Sequence, residues 1–184
     1  MFRARSLTAK QNSYKIRSEV RLFPSPQMRK SIRAVGIVIK KDKVLLMWRK
    51  NEGKEYYTFP GGGVEEKESV EDAVVRELKE ETSTENKIIK LLYHHHLIND
   101  GDQYFYLCQY LSGKTEIGKN SEEAREMKSG QNLFKPLWAS IKELDKLLLY
   151  PLEVRDWLIE DYKDDFKRTP RKASLEIKDL RQEI

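Results

Sequence analysis

Three acidic side chains and one arginine stand at fixed spacing near the middle of the chain. Glu77, Glu80 and Glu81 occupy positions i, i+3 and i+4, which are neighbours on a helix surface. Carboxylates that converge beside a protein core repel one another and lose hydration, at a cost on the order of several kcal/mol each unless a positive charge lies between them. A hard cation such as Mg²⁺ takes oxygen ligands of this kind. The spacing therefore predicts a divalent-metal site, with Arg76 within reach of Glu80 to orient a carboxylate.

A helix has to hold these carboxylates, and the sequence marks its start. Ser69 is the predicted N-cap residue, and Asp72 at the third helical position completes the spacing of a capping box. At about 100° per residue, one apolar stripe faces the core, formed by Val70, Ala73, Val74 and Leu78. The same stripe continues into the glutamates, so we expect all three to lie beside the core.

A glycine run comes just before this helix. Pro60 followed by the three glycines 61–63 is a backbone that can adopt positive φ and leave main-chain groups uncovered, as a phosphate or metal site requires. Upstream of it, Arg49 is a candidate phosphate ligand and Tyr57 a candidate for stacking on a nucleobase. Ordinary solvation and core packing are the alternative roles for these two side chains.

The segment from Gly62 to Thr84 resembles the signature of the Nudix hydrolase family. That signature is Gly, five residues, Glu, seven residues, Arg-Glu, an apolar residue, any residue, Glu-Glu, any residue, Gly and a final apolar residue. The matching residues are Gly62, Glu68, Arg76, Glu77, Leu78, Glu80 and Glu81. Ser83 stands in place of the second glycine, and Thr84 in place of the final apolar residue. The departures fall at the helix exit, where glycine suits a left-handed cap.

The resemblance implies an α/β fold, a Nudix-type α/β/α sandwich with a central mixed sheet. It also implies hydrolysis of a nucleoside diphosphate linked to another moiety, such as a sugar nucleotide or a modified nucleoside triphosphate. By this resemblance, Glu77, Glu80 and Glu81 bind the metal, Gly62 lends a backbone carbonyl, and Arg76 orients the carboxylates. Glu77 and Arg76 are thus the expected catalytic pair. Mg²⁺ is the expected cofactor, with Mn²⁺ as an alternative.

The general base stays open at this stage. Glu77 is one candidate, and the others come from the Gly-, Lys-, Glu- and Ser-rich segment 112–132, which the composition predicts to be a long loop. Its candidate acids are Glu122, Glu123 and Glu126, and Glu126 is also a candidate for substrate binding. A solvated surface position is the alternative for each of them.

The remaining sequence predicts one domain with a tail at each end. Residues 1–30 are basic and aperiodic and predict a flexible extension, residues 31–167 predict the Nudix domain, and residues 168–184 predict a charged tail that frays. Strands are predicted at 34–39, 44–48, 88–97, 103–111 and 133–139, and helices at 140–147 and 151–166. The His94-His95-His96 run falls on a strand, where alternation leaves at most two ligands on one side, too few for a dedicated zinc site.

The charge distribution bears on the partners. The net charge is +5, but residues 1–35 carry nine Lys or Arg against one acid, so the rest of the chain is near −3. We therefore expect a small-molecule nucleotide as the partner rather than nucleic acid or a membrane. The alternative is an RNA-binding protein or RNA 5′-end pyrophosphohydrolase that uses the basic tail. The single cysteine, Cys108, predicts a buried thiol and a cytoplasmic location, and a homodimer stays open.

Overall fold

The computed structural model of the protein describes residues 31–51, 53–98, 101–130 and 132–176. The predicted N-terminal extension, residues 1–30, lies outside the described residues, as do residues 177–184 of the predicted C-terminal tail.

A mixed sheet forms the centre of the fold. Its strands are β1 (Ser31–Lys40), β2 (Lys43–Asn51), β3 (Lys54–Thr58), β4 (Gly61–Gly63), β5 (Thr84–Ile98), β6 (Gly101–Gly113), β7 (Asn132–Ser140), β8 (Leu149–Tyr150) and β9 (Arg171–Glu176). They run in the order β8-β3-β2-β1-β6-β5-β9, with β4 paired to β1 and β7 paired to β2. The pairs β1–β6, β3–β8 and β5–β9 are parallel and the others antiparallel.

Helices cover both faces of this sheet. They are α1 (Val70–Thr82), α2 (Glu122–Ser129), α3 (Leu152–Tyr162) and a 3₁₀ helix (Ile141–Lys146). Alternate residues of β1 divide between two cores, because successive strand side chains point to opposite faces. Val35 and Ile37 join the core beneath α3 and the 3₁₀ helix, whereas Ala34 and Val38 join the core beneath α1. The predicted α/β fold with helices around a central mixed sheet is confirmed. No helix in the described part of the chain is long and apolar enough to cross a membrane.

Helix α1 begins and ends as its sequence requires. The Ser69 hydroxyl accepts a hydrogen bond from the Asp72 backbone N–H at 3.1 Å and donates one to the Asp72 carboxylate at 2.6 Å. The predicted cap is therefore confirmed. At the other end, Ser83 adopts the left-handed conformation, with φ 53° and ψ 29°, and its N–H bonds the carbonyl of Lys79. Serine thus occupies the backbone conformation for which the Nudix signature has glycine.

The predicted loop 112–132 contains a helix, α2. Ser121 caps its start by accepting a hydrogen bond from the Ala124 N–H at 3.1 Å, and Gly130 closes its end with φ 76°. These cap residues were the available signals, because serine before a helix and glycine after it satisfy the free backbone groups. The loop prediction was wrong for these eight residues, because Ser121 and Gly130 cap a helix within a segment whose composition is typical of turns.

The predicted C-terminal tail also contains structure, since Arg171–Glu176 forms β9 and pairs with β5. Asp161 is fully buried at the end of α3, and a buried carboxylate requires a compensating charge. Arg171 and Arg168 supply it, the latter at 3.3 Å. The prediction that this tail frays is therefore wrong for residues 171–176, which pair with the sheet, whereas the domain boundary at residue 167 stays a prediction.

Candidate active site

A cleft of 570 Å³ opens where α1, β4 and α2 meet. Among the predicted site residues, those that line it are Arg49, Gly62, Arg76, Glu77, Glu80, Glu81 and Glu126. The loop acids Glu122 and Glu123 line it as well. The fold thus brings together side chains that are up to 77 residues apart in sequence, from Arg49 to Glu126.

Glu81 is the most deeply buried acid of the cleft, with 3% of its surface exposed. One carboxylate oxygen accepts a hydrogen bond from the Gly61 N–H at 2.8 Å, and the other lies 3.5 Å from the Arg49 guanidinium. Burial raises the pKa of Glu81 well above its usual range, and the neighbouring carboxylate of Glu123 raises it further. This side chain is therefore costly to ionise unless further positive charge approaches.

Arg76 organises the outer part of the cleft. Its guanidinium makes two hydrogen bonds of 2.8 Å to Glu68, one of 2.9 Å to the Gly63 carbonyl and one of 2.7 Å to Glu77. Burial raises the pKa of Glu77 even though Arg76 acts in the opposite direction. Arg76 therefore holds three parts of the cleft in one arrangement: β4 through Gly63, the turn between β4 and α1 through Glu68, and the predicted metal ligand Glu77.

Glu80 differs from the prediction that all three glutamates lie beside the core. Its side chain is 51% exposed and lies 3.5 Å from Arg76. Successive helical residues are about 100° apart, so placing Glu81 at the centre of the buried stripe leaves Glu80 on its margin. Only Glu77 and Glu81 are substantially sheltered from water.

Gly62 has no room for a side chain. A Cβ atom built there would lie 2.4 Å from Oε1 of Glu77, closer than non-bonded atoms approach. The absence of a side chain at this position therefore leaves space for the Glu77 carboxylate against β4. Gly63, the next residue, faces open space.

Helix α2 adds a further carboxylate from the other side of the cleft. Glu123 is buried and lies 3.9 Å from Arg49, while Glu122 is exposed. Glu126 is half-buried and accepts a hydrogen bond of 2.5 Å from the Asn132 side chain. The segment before α2 is joined to the end of α1 by the Gly118 N–H, which donates to the Glu80 carbonyl at 3.0 Å. Among the three loop acids, Glu123 is the one that reaches the buried carboxylate.

The two substrate-binding candidates upstream of the glycine run, Arg49 and Tyr57, lie on different faces of the sheet. The Arg49 Nε–H donates to the Thr58 hydroxyl at 3.0 Å, and its guanidinium lies over the ring of Phe134, 5.1 Å from the centroid. Tyr57 packs against the core beneath α3 and is not among the residues that line the cleft. The cross-strand neighbour of Arg49 is Tyr56, so strand alternation puts Tyr56 rather than Tyr57 on the Arg49 side of the sheet. Substrate binding by Tyr57 therefore stays a prediction that the geometry of this cleft does not support.

The three histidines divide between the faces of β5 as alternation requires. His94 and His96 both contact one oxygen of Asp102, at 2.7 and 3.1 Å. His95 is fully buried between the rings of Phe105 and Trp157 on the opposite face. They lie on a different part of the sheet from the residues that line the cleft.

A family model described as the NUDIX domain matches residues 30–158 of the chain. The chain belongs to the NUDIX domain family. A protein of Pasteurella multocida named RNA pyrophosphohydrolase is 44% identical over 59 residues, which cover 32% of this chain and 30% of that protein. A protein of Methanocaldococcus jannaschii named ADP-ribose pyrophosphatase is 52% identical over 58 residues, 31% of this chain and 34% of that protein. The chain thus matches only about a third of the length of these curated relatives.

The fold of a NUDIX hydrolase from Nitrosomonas europaea is similar, with a TM-score of 0.61 over 80% of this chain and 79% of that one. The identity is 16%, so the likeness concerns the fold alone.

NUDIX enzymes generally use divalent metals, and the donors of this cleft fit such an ion. Its carboxylates are oxygen donors of the kind that Mg²⁺ prefers. Burial and Glu123 raise the pKa of Glu81 even though Arg49 lies nearby, so a further cation would stabilise the charged form of this carboxylate. Within the described residues, no three acidic or histidine side chains already converge on one point. Instead, Glu77 and Glu80 pair with Arg76, and Glu81 accepts a hydrogen bond from the Gly61 N–H.

Proposed function

We propose that this protein is a Mg²⁺-dependent hydrolase that cleaves a diphosphate linkage in a small nucleotide substrate. The observation that carries the proposal is the cleft in which the carboxylates of Glu77, Glu81 and Glu123 surround β4 while Arg76 holds Glu77. Phosphoryl transfer depends mainly on positioning and charge neutralisation, and acidic side chains are suited to hold the cations that a diphosphate requires.

The residues of the cleft have separate roles in this proposal. A divalent ion, when bound, supplies positive charge to the phosphates and makes water easier to deprotonate. Glu77, Glu80, Glu81 and the Gly62 carbonyl are the groups proposed to hold it, with Mn²⁺ as an alternative to Mg²⁺. Arg76 keeps Glu77 oriented, and the Gly61 N–H keeps Glu81 oriented.

Two of the four candidate acids are favoured as the group that accepts a proton from water. Glu77 lines the cleft above Gly62, and burial raises the pKa of its carboxyl, which brings it closer to the range that favours a base at neutral pH. Glu123 is the second candidate because it lies inside the carboxylate cluster. Glu122 is exposed at the start of α2, which weakens its case.

A second cavity supports a nucleotide-sized substrate. It has a volume of 190 Å³ and adjoins the cleft at Arg33. Aromatic and polar side chains line it, among them Thr58, Phe59, Gln103 and Tyr150. Such a lining suits the non-phosphate part of a substrate whose diphosphate lies in the cleft. The name of the Methanocaldococcus relative, ADP-ribose pyrophosphatase, is compatible with this substrate class.

RNA 5′-end pyrophosphohydrolase is the second candidate function, favoured by the name of the Pasteurella relative. In that case the basic residues 1–30 would bind the RNA backbone. Salt separates the candidates, because phosphate contacts by basic residues weaken steeply as salt rises, whereas turnover of a small nucleotide depends on salt less. A cytoplasmic location is part of the proposal, supported by the buried free thiol of Cys108.

A substrate screen tests the proposed function. The full chain is incubated with ADP-ribose, a UDP-sugar, a nucleoside triphosphate or 5′-triphosphorylated RNA, in Mg²⁺, Mn²⁺ or EDTA. We expect the free nucleotides to be cleaved in Mg²⁺, with no cleavage in EDTA or by the Glu81→Gln variant. Cleavage that survives EDTA, or a clear preference for RNA at moderate salt, would overturn the proposal in its metal or its substrate part, respectively.

A further inference from the structure

Arg33 occupies a special position in the site because, among the residues that the structure describes, it alone lines both the main cleft and the second cavity. It belongs to β1, whose following residues Ala34 and Val35 are buried in the two cores. The backbone position of Arg33 is therefore fixed by the sheet. Its side chain is more exposed and reaches the region where the two cavities join.

The arginines of the cleft differ in their partners. Arg49 and Arg76 are both paired with carboxylates. Arg33 and Arg125 make no ion pair with any carboxylate in the described ranges, and each donates to a backbone carbonyl instead. The Arg33 bond joins Nη2 to the Gly61 carbonyl at 2.9 Å. A guanidinium has five N–H donors, so this contact leaves Arg33 with donors and a full positive charge for an anion.

Gly61 connects Arg33 to the acidic part of the cleft. Its carbonyl accepts from Arg33, and its N–H donates to Glu81 at 2.8 Å. One residue therefore separates a guanidinium without a carboxylate partner from the most deeply buried carboxylate of the cleft. An anionic group at Arg33 would lie beside the carboxylates without having to contact them.

We propose that Arg33 is a substrate-binding residue that holds the phosphate lying between the two cavities. The inference rests on the proposed function and adds the orientation of the substrate within the site. A diphosphate held at Arg33 by one phosphate extends its other phosphate toward Glu81, while the attached moiety enters the second cavity. Arginine suits this role because its planar fork binds phosphate oxygens through paired hydrogen bonds.

A purely structural role is the competing explanation, since the Arg33 bond to Gly61 also secures β4 against β1. The two roles differ in what a substitution changes. If Arg33 only supports the structure, loss of its bond to Gly61 would move Gly61 and hence Glu81, so metal affinity and kcat would fall. Loss of an anion-binding group would weaken phosphate binding and leave the affinity for metal unchanged.

The test compares Arg33→Gln and Arg33→Lys with Arg125→Gln in the full chain. Arg125 is the matched control because it also lines the cleft and bonds a backbone carbonyl, but it does not line the second cavity. Four quantities are measured for each variant: the inhibition constant of inorganic pyrophosphate, KM and kcat for the best nucleotide substrate, and Mn²⁺ affinity by calorimetry without nucleotide.

For Arg33→Gln we expect KM and the pyrophosphate inhibition constant to rise about 10- to 100-fold, as for loss of a charged hydrogen bond. We expect kcat and Mn²⁺ affinity to change less than about threefold. Arg33→Lys should fall between wild type and Arg33→Gln, because it keeps the charge but not the fork. It also serves as the test if Arg33→Gln does not fold. Arg125→Gln should raise KM and the pyrophosphate inhibition constant less than Arg33→Gln does, because Arg125 lines the cleft but not the second cavity.

Unchanged KM and pyrophosphate inhibition in Arg33→Gln would overturn the inference while leaving the proposed hydrolase intact. Equal losses of Mn²⁺ affinity and kcat would overturn it in favour of the structural role. If the wild type cleaves no nucleotide, pyrophosphate binding by calorimetry replaces inhibition. Binding that is lost in Arg33→Gln then supports the anion site even though the proposed function has failed.

Discussion

The backbone N–H of Gly61 donates a 2.8 Å hydrogen bond to the buried carboxylate of Glu81. This contact joins β4 to the last turn of α1. Gly61 pairs with Val35 of β1, so the register of the central sheet sets the position of Glu81. The carboxylate is thus oriented by the fold before any ligand arrives, which is the kind of preorganisation that a catalytic site requires.

Gly62→Ala should lower activity strongly because the new Cβ would lie 2.4 Å from Oε1 of Glu77. Either the Glu77 carboxylate or β4 must move, and we expect kcat/KM to fall by about 100-fold, a loss typical of displaced catalytic groups. Gly63→Ala is the control, since a Cβ there meets open space. Equal activities in the two variants, measured by the release of nucleoside monophosphate, would show that the Glu77 position does not matter.

Ser83→Gly should stabilise the protein. Ser83 is in the left-handed conformation at the end of α1, with φ 53°, which costs about 1 kcal/mol for a residue that carries a Cβ. Gly130→Ala is the reciprocal test, because Gly130 ends α2 with φ 76° and has open space around it. We expect urea unfolding to give a gain of up to about 1 kcal/mol for Ser83→Gly and a loss of similar size for Gly130→Ala. A destabilised Ser83→Gly would mean that the serine side chain contributes more than the strain costs.

The sequence predicted the parts of the fold that depend on local periodicity. The apolar stripe of α1, its Ser69 cap and five of the strands, β1, β2, β5, β6 and β7, follow from spacing alone, and they are confirmed. The short strands β3, β4 and β8 and the C-terminal strand β9 were not predicted. The resemblance to the signature then allowed the sandwich to be predicted, because the family pattern carries information about long-range packing that spacing does not.

What could not be predicted depended on contacts between distant segments. Tyr56 and Tyr57 are adjacent residues of the same type, so the sequence does not distinguish them. Only the pairing of β2 with β3 decides which of the two lies on the same side of the sheet as Arg49. Likewise Arg171 at the start of β9 pairs with the buried Asp161 of α3, a contact between elements that no local pattern indicates. The position of Arg33 between two cavities is also a property of the assembled sheet, and no short motif indicates it.

Removal of the buried histidine should change the acid sensitivity of the fold. Burial lowers the pKa of His95 from 6.5 to about 4, and the charge of His94 acts in the same direction. A lowered histidine pKa means that the unfolded chain takes up the proton first. Stability is therefore full above pH 6.5 and falls as the pH drops toward 4, by about 1.4 kcal/mol per unit at most.

His95→Phe removes this titrating group, so its unfolding free energy should depend less on pH across that range. His96→Gln is the control, because His96 is partly exposed and bonded to Asp102. Glu153, whose pKa is raised by burial and which lies 3.4 Å from His95, is present in both variants. Urea unfolding at pH 7, 6 and 5 decides the matter, and parallel pH profiles for wild type and His95→Phe would refute the assignment.

The last prediction concerns Glu81→Gln, which removes a buried charge at nearly constant shape. Burial and Glu123 raise the pKa of Glu81, so without metal its contribution to stability is full at low pH and is lost as the pH rises through that raised value. The amide cannot ionise and still offers an oxygen to the Gly61 N–H. Metal-free Glu81→Gln should therefore be as stable as wild type or more stable at pH 8. Magnesium should stabilise the wild type by about 2.7 kcal/mol at a hundredfold excess over its dissociation constant, and the variant much less, while turnover falls by orders of magnitude.

Glu80→Gln is the comparison, because Glu80 is a proposed metal ligand that is not buried. Its side chain is 51% exposed, so we expect little change in metal-free stability but a comparable loss of turnover. Thermal melts with and without magnesium, paired with the release of nucleoside monophosphate from the substrate, measure both effects. Normal turnover in either variant would remove that glutamate from the proposed metal site, and an equal magnesium response in wild type and Glu81→Gln would remove the buried carboxylate as its centre.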